Sequence, residues 1–162
     1  MTNAASTEPA AMLAAGGTAG HLFPAFALAQ ELIRRGIAVD LMTDTRGDRY
    51  GASFPARTTY QVPSATFASR SPVAVTRTLT TLGRGIAQAH GILGRAQPAA
   101  IIGFGGYPTL PPLIAGRLRR IPTALHEQNA VLGRANRLLS KGVSAIATSF
   151  ETTRLLDAGL MR

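Results

Sequence analysis

Ala11-Met12-Leu13-Ala14-Ala15-Gly16-Gly17-Thr18-Ala19-Gly20-His21 is the stretch on which the fold turns: small and apolar residues run straight into a glycine-rich turn. A short apolar run that stops at glycine suits a strand buried on both faces of a parallel sheet. Beyond the turn the period changes. Over residues 22–35, Phe26, Ala29, Leu32 and Ile33 fall on one face, Pro24 sits in the expected first turn and Gly36 closes the end, which predicts a helix.

The same alternation continues along the chain. Residues 37–42 predict a second strand, and residues 43–63 are loop-like with a short strand near 60–62. Residues 73–95 predict a helix, although Gly83, Gly85 and Gly91 each weaken it by up to about 1 kcal/mol relative to alanine. Strands follow at 99–104, 123–126 and 143–147, with helices at 110–119 and 132–139 and a partial helix at 151–158. Strand–helix alternation at this spacing predicts an α/β fold: a parallel, doubly wound sheet with helices on both faces and right-handed crossovers. Ligands of such sheets sit beyond the carboxyl ends of the strands.

Composition narrows the class. A chain of 162 residues fits one domain over residues 11–162, behind a small, polar leader at residues 1–10. That leader has no basic region to make it a secretory signal, and no run approaches the roughly 20 apolar residues of a membrane span. No cysteine is present, which excludes disulfides and thiolate metal sites. The net charge is +9, carried almost wholly by arginine, since Lys141 is the only lysine. Such a surface favours anionic partners. The arginines are scattered and few aromatics interleave with them, which argues against nucleic acid and leaves phosphorylated ligands or an anionic membrane surface.

Three turns at strand ends are candidate binding elements. In the first, Gly16 to His21, glycines allow close approach of a ligand and the helix start offers free N–H groups, suited to a phosphate. A structural βα turn would use the same residues. The third glycine of a dinucleotide fingerprint is missing, and no G-K-[ST] follows. His21 can act there as a general base, kept neutral by the helix dipole, or make only a local hydrogen bond. The second turn, Gly103-Phe104-Gly105-Gly106-Tyr107, stands at an equivalent strand end, so that two turns could clamp a diphosphate. The third is His126-Glu127-Gln128-Asn129. Four consecutive polar side chains after an apolar strand cannot all be satisfied in the core, so they are expected to line a cleft. There Glu127 could accept from sugar hydroxyls, and Asn129 could contact a ligand or cap the next helix.

Taken together, GGTAGHLFPA, GFGGYPTLPP and LHEQNAVLGRANRLL resemble, in order and spacing, the N-terminal half of the MurG family of bacterial glycosyltransferases. One departure is Ala19, where that family usually has glycine. The resemblance implies a Rossmann-like domain, the acceptor-side half of a two-domain GT-B enzyme. Its donor-binding half would lie beyond Arg162, so the isolated chain is expected to be inactive. It implies inverting transfer of N-acetylglucosamine from UDP-N-acetylglucosamine to lipid-linked muramyl-pentapeptide for peptidoglycan synthesis, at the cytoplasmic face of the plasma membrane, with no cofactor or metal. By position it makes His21 the general base and assigns Thr18, Ala19, Gly20 and Asn129 to the donor. It assigns Gly16, Gly17, Gly103, Gly105, Gly106, Tyr107, Glu127 and Gln128 to the acceptor and its diphosphate. A related enzyme acting on another membrane lipid, such as diacylglycerol, shares the glycine–histidine opening, and a non-catalytic binding module remains the alternative of another class.

A lipid-linked acceptor calls for a docking surface. Residues 70–95 interleave Val73, Val75, Leu79, Leu82 and Ile86 with Arg70, Arg77, Arg84 and Arg95, and arginines near anionic headgroups are worth about 1 kcal/mol each. The docking residues expected are Val75, Leu79, Leu82, Arg77 and Arg84. An ordinary helix with its apolar stripe packed on the sheet fits the same spacing.

Overall fold

The computed structural model describes residues 10–16, 18–44, 54–66 and 71–157. Its strands are β1 (Ala10–Ala14), β2 (Ala38–Thr43), β3 (Thr58–Gln61), β4 (Ala100–Gly103), β5 (Thr123–Glu127) and β6 (Ala145–Thr148). The helices are α1 (Ala19–Arg34), α2 (Pro72–Ala96), α3 (Leu110–Leu118) and α4 (Arg134–Leu139). The strands form one sheet in the order β3-β2-β1-β4-β5-β6, with every pairing parallel. The order reverses between β1 and β4, which opens a crevice at their carboxyl ends. This is the Rossmann-like α/β architecture that the alternation predicts.

Two cores cover the faces of the sheet, because successive side chains of a strand point to opposite sides. Met12 and Ala14 of β1 pack with Ala89, Ile92 and Leu93 of α2 and Leu113 of α3. Leu13 and Ala15 face the other way, onto Leu22, Ala25 and Ala29 of α1 and onto Phe104. Hence β1 has no polar position: all five residues are buried.

Several local expectations shift. Helix α1 begins at Ala19, so Pro24 lies inside it rather than in its first turn, and cannot donate to the Gly20 carbonyl. Helix α2 runs for 25 residues, capped by Ser71 Oγ, which accepts from Ala74 N at 3.3 Å. Gly85 is less of a liability than propensity suggests, since a Cβ there would overlap the Pro63 carbonyl. The absence of a side chain lets α2 lie against the segment leaving β3. No partial helix forms over the described part of 151–158. Instead Arg154 N donates to the Ala130 carbonyl at 2.9 Å and Leu132 N to the Arg154 carbonyl at 2.9 Å, a parallel bridge that holds the backbone extended. Leu155 then turns away at φ +66°.

Candidate functional site

The crevice between β1 and β4 is built from the first two turns. Phe104 N donates to the Ala14 carbonyl at 2.9 Å, which ties the turn after β4 to the end of β1. Gly105 and Gly106 have φ of +91° and +75°, in the left-handed region that a side chain resists. Their bare surface supports His21 from the first turn of α1: a Cβ on Gly105 would come within 3.0 Å of His21 Cδ2 and 3.2 Å of Nε2. His21 Nδ1 and Thr18 Oγ1 share a hydrogen bond of 2.8 Å, which fixes the ring from its other edge. Burial lowers the His21 pKa below the ordinary 6.5, opposed by the Glu127 charge, so the imidazole favours its neutral form.

Gly16 is buried against β2, where an added Cβ would lie 2.8 Å from Thr43 Oγ1. Ala19 is half-buried, and Thr18 and Gly20 are exposed. Gly17, like Arg70, lies outside the described residues. Tyr107 is half-buried at the start of a single 3-10 turn, Tyr107–Thr109, that leads into α3. Gly103 is a correction. It faces Leu113 and Leu125 in the core, where a Cβ would lie 2.8 Å from Leu113 Cδ1, so packing rather than a ligand explains the glycine.

The third turn is the larger correction. Glu127 is 1% exposed and does not line a cleft. Its Oε1 accepts from Asn129 N at 3.0 Å and Nδ2 at 2.8 Å, and its Oε2 from Gly133 N and Asn136 Nδ2 at 2.9 Å each. Burial alone would raise the pKa of this carboxyl, but donation by Gly133, Asn136 and Asn129 outweighs it and holds the group below the ordinary carboxylate range. Asn129 therefore caps nothing; the N-cap of α4 is Gly133. Gln128 is half-buried and Asn129 exposed, with the amide nitrogen of Asn129 engaged by Glu127. Half-buried His126 stacks at 5.5 Å on Phe104, and burial lowers its pKa against the Glu127 charge and Gln128.

Sequence reading missed Asn136. It is 1% exposed, donates to Glu127 and to the His126 carbonyl at 3.2 Å, and approaches Gly105 beside His21. The available signal was a polar residue on the buried face of α4, between Ala135 and Leu139. On α2, Leu79 and Val73 are 56% and 80% exposed and Arg77 and Arg84 are exposed too, whereas Val75 and Leu82 are half-buried. Leu82 rests with Ile86 against the core, so it serves the fold more than the surface.

Residues 11–148 match the glycosyltransferase family 28 N-terminal domain. The chain belongs to that family. It is 58% identical over 144 residues to the UDP-N-acetylglucosamine--N-acetylmuramyl-(pentapeptide) pyrophosphoryl-undecaprenol N-acetylglucosamine transferase of Rhodopseudomonas palustris strain HaA2, a match covering 89% of this chain and 39% of that protein. The identically named protein of Nitrobacter hamburgensis is 57% identical over the same shares. The chain thus spans about 39% of the length of these curated relatives. Among solved structures, Acinetobacter baumannii MurG superposes with a TM-score of 0.79 at 28% identity, over 95% of this chain and 44% of that one. A UDP-N-acetylglucosamine 2-epimerase from Rickettsia bellii, at TM-score 0.65 and 14% identity over 95% of this chain and 44% of its own, shows a likeness of fold alone.

Proposed function

We propose that this chain is the acceptor-side half of an inverting transferase that moves N-acetylglucosamine from UDP-N-acetylglucosamine to the muramyl hydroxyl of undecaprenyl-diphosphate-linked muramyl-pentapeptide. The observation that carries this reading is the placement of His21: neutral, held by Thr18, and set over a glycine turn at the topological switch point. The printed names of the relatives supply the substrates. With Nδ1–H donated to Thr18 Oγ1, the lone pair of Nε2 is available to the acceptor hydroxyl. As that oxygen bonds to the anomeric carbon, its proton passes to Nε2, the bond from that carbon to the UDP oxygen breaks, and configuration inverts. Backbone N–H groups around Gly105 and Gly106 then face the acceptor diphosphate, and Thr18, Gly20 and Asn129 the donor.

The acceptor is lipid-linked, and no helix among the described residues is long and apolar enough to cross a membrane. Exposed Leu79 and Val73 beside Arg77 and Arg84 suit peripheral docking on an anionic leaflet, the cytoplasmic face of the plasma membrane in this reading. The test is product formation by the domain carried in a protein of its relatives' length, with lipid-linked muramyl-pentapeptide and diacylglycerol compared as acceptors. Transfer to the muramyl acceptor is expected. Transfer to diacylglycerol alone would overturn the assignment.

A further inference from the structure

Helix α4 divides its residues sharply. Ala135, Asn136 and Leu139 are buried, and Asn136 is spent on Glu127 and the His126 carbonyl. Arg134, Arg137 and Leu138 face outward, and with Tyr107 they line a cleft of about 380 Å³. Tyr107 directly follows Gly106, so the cleft begins one residue beyond the glycine turn against which the His21 ring lies. Neither guanidinium takes part in the ion pairs of Glu31 with Arg34 and Arg35 or of Asp40 with Arg57. Among the described residues, no carboxylate lines the cleft. The nearby acid, Glu127, is turned beneath the helix into Gly133, Asn136 and Asn129.

A planar guanidinium presents paired N–H donors that match phosphate oxygens, and two of them three residues apart on one helix face converge on one anion. The phenol of Tyr107 adds a polar group at the turn side. Leu138, 66% exposed, offers apolar surface on the rim. Two exposed guanidinium groups, a phenol and an apolar rim suit a phosphorylated ligand whose next atoms are hydrocarbon. We infer that Arg134 and Arg137 bind a phosphate group in this cleft, and that the phosphate is part of the acceptor diphosphate, held between their side chains and the Gly105–Gly106 turn. This rests on the proposed acceptor. An anionic lipid headgroup offers the same phosphate chemistry and is the competing source.

Direct binding separates the cases, because it needs no transfer activity. The isotope-labelled 162-residue chain is titrated with inorganic pyrophosphate and with a short-chain prenyl diphosphate while amide shifts are followed. Shifts are expected at Tyr107, Arg134, Arg137 and Leu138. Affinity for both probes is expected to fall about tenfold or more in Arg134→Gln/Arg137→Gln, since charge-assisted phosphate contacts are strong. Arg34→Gln/Arg35→Gln, with the same charge loss at the far end of α1, is the control and should bind as the parent does. Equal weakening in both double variants, unchanged affinity, or shifts confined to other surfaces would overturn the site. A third arm uses phosphatidylglycerol vesicles: if Arg134→Gln/Arg137→Gln loses vesicles yet keeps pyrophosphate, the cleft is membrane surface and the inference fails. The shift map of the parent chain needs no variant, so misfolding cannot hide the answer. Failure here with muramyl transfer intact would leave the proposed function standing, whereas pyrophosphate binding without muramyl transfer would leave the phosphate site and remove its assignment to the acceptor.

Discussion

At the scale of residues, His21 gathers the most consequences. Replacing it by glutamine keeps a polar side chain but removes the proposed base, and general-base catalysis is typically worth about 10²–10⁴-fold. Turnover of His21→Gln, with the domain carried in a protein of its relatives' length and both substrates saturating, is expected to fall within that range, and a loss below about threefold would reduce His21 to a local hydrogen-bond partner of Thr18. The pH profile is a second check. Burial depresses the His21 pKa below 6.5, so the proton leaves at lower pH and the neutral base persists further into acid. The acid limb of kcat/KM is therefore expected to have its midpoint below 6.5 and to vanish in His21→Gln. That His21 and the two glycine turns stand at strand ends was legible in the sequence, but their role was not, since a structural βα turn uses the same residues. The inward turn of Glu127 was not. Four polar residues in a row point to a surface, and nothing local shows that Asn129, Gly133 and Asn136 will supply donors enough to bury a carboxylate.

At the scale of elements, Glu127 is the tie between β5 and α4. In Glu127→Gln, one carboxylate oxygen becomes an amide that donates where Gly133 or Asn129 already donates, and about 1–3 kcal/mol of stability should be lost. Urea unfolding at neutral pH measures it. The folded pKa of Glu127 lies below the ordinary 4.5, so its ionised form contributes stability that is present above 4.5 and is lost as pH falls through the lower, folded value. The gap between parent and variant should accordingly narrow below 4.5 and stay flat above it. Helix α2 makes a different prediction. Gly85→Val would drive a branched side chain into the Pro63 carbonyl, and overpacking of this kind costs about 1–3 kcal/mol or more. Thermal unfolding should report that cost, whereas Gly83→Ala, with open space at its Cβ, is expected to be neutral or stabilising. Periodicity predicted this helix and the cost of Gly83, but not the reason for Gly85, which is a neighbour 22 positions earlier in the chain. The same blindness to distant partners explains residues 151–157: their helical composition is overridden by the bridge from Arg154 to Val131.

At the scale of the whole molecule, the sheet order puts every candidate turn at the carboxyl ends of the strands, and under the proposed function the surface must bring those ends to a lipid-linked substrate. Alternation of strand and helix made the parallel architecture readable, but not which face of α2 would be free: apolar and basic residues at these spacings fit a core helix as well as a docking one. The structure divides the stripe, with Leu82 and Ile86 toward the core and Leu79 and Val73 toward solvent. Docking through that outer part has two separable components. Arginines near an anionic leaflet contribute about 1 kcal/mol each, so Arg77→Gln/Arg84→Gln should weaken binding to phosphatidylglycerol vesicles by about thirtyfold at low salt. Leu79→Ser should weaken binding at every salt concentration, since burial of its side chain in the interface is not screened. Salt distinguishes the two: the Debye length shrinks to about 3 Å at 1 M, where the parent should approach the double arginine variant while Leu79→Ser remains weaker than the parent. Vesicle co-sedimentation of the chain across a salt series measures both. Binding that is indifferent to Leu79, Arg77 and Arg84 alike would move the docking surface off α2, and the orientation of the crevice toward the lipid would have to be argued from another face of the sheet.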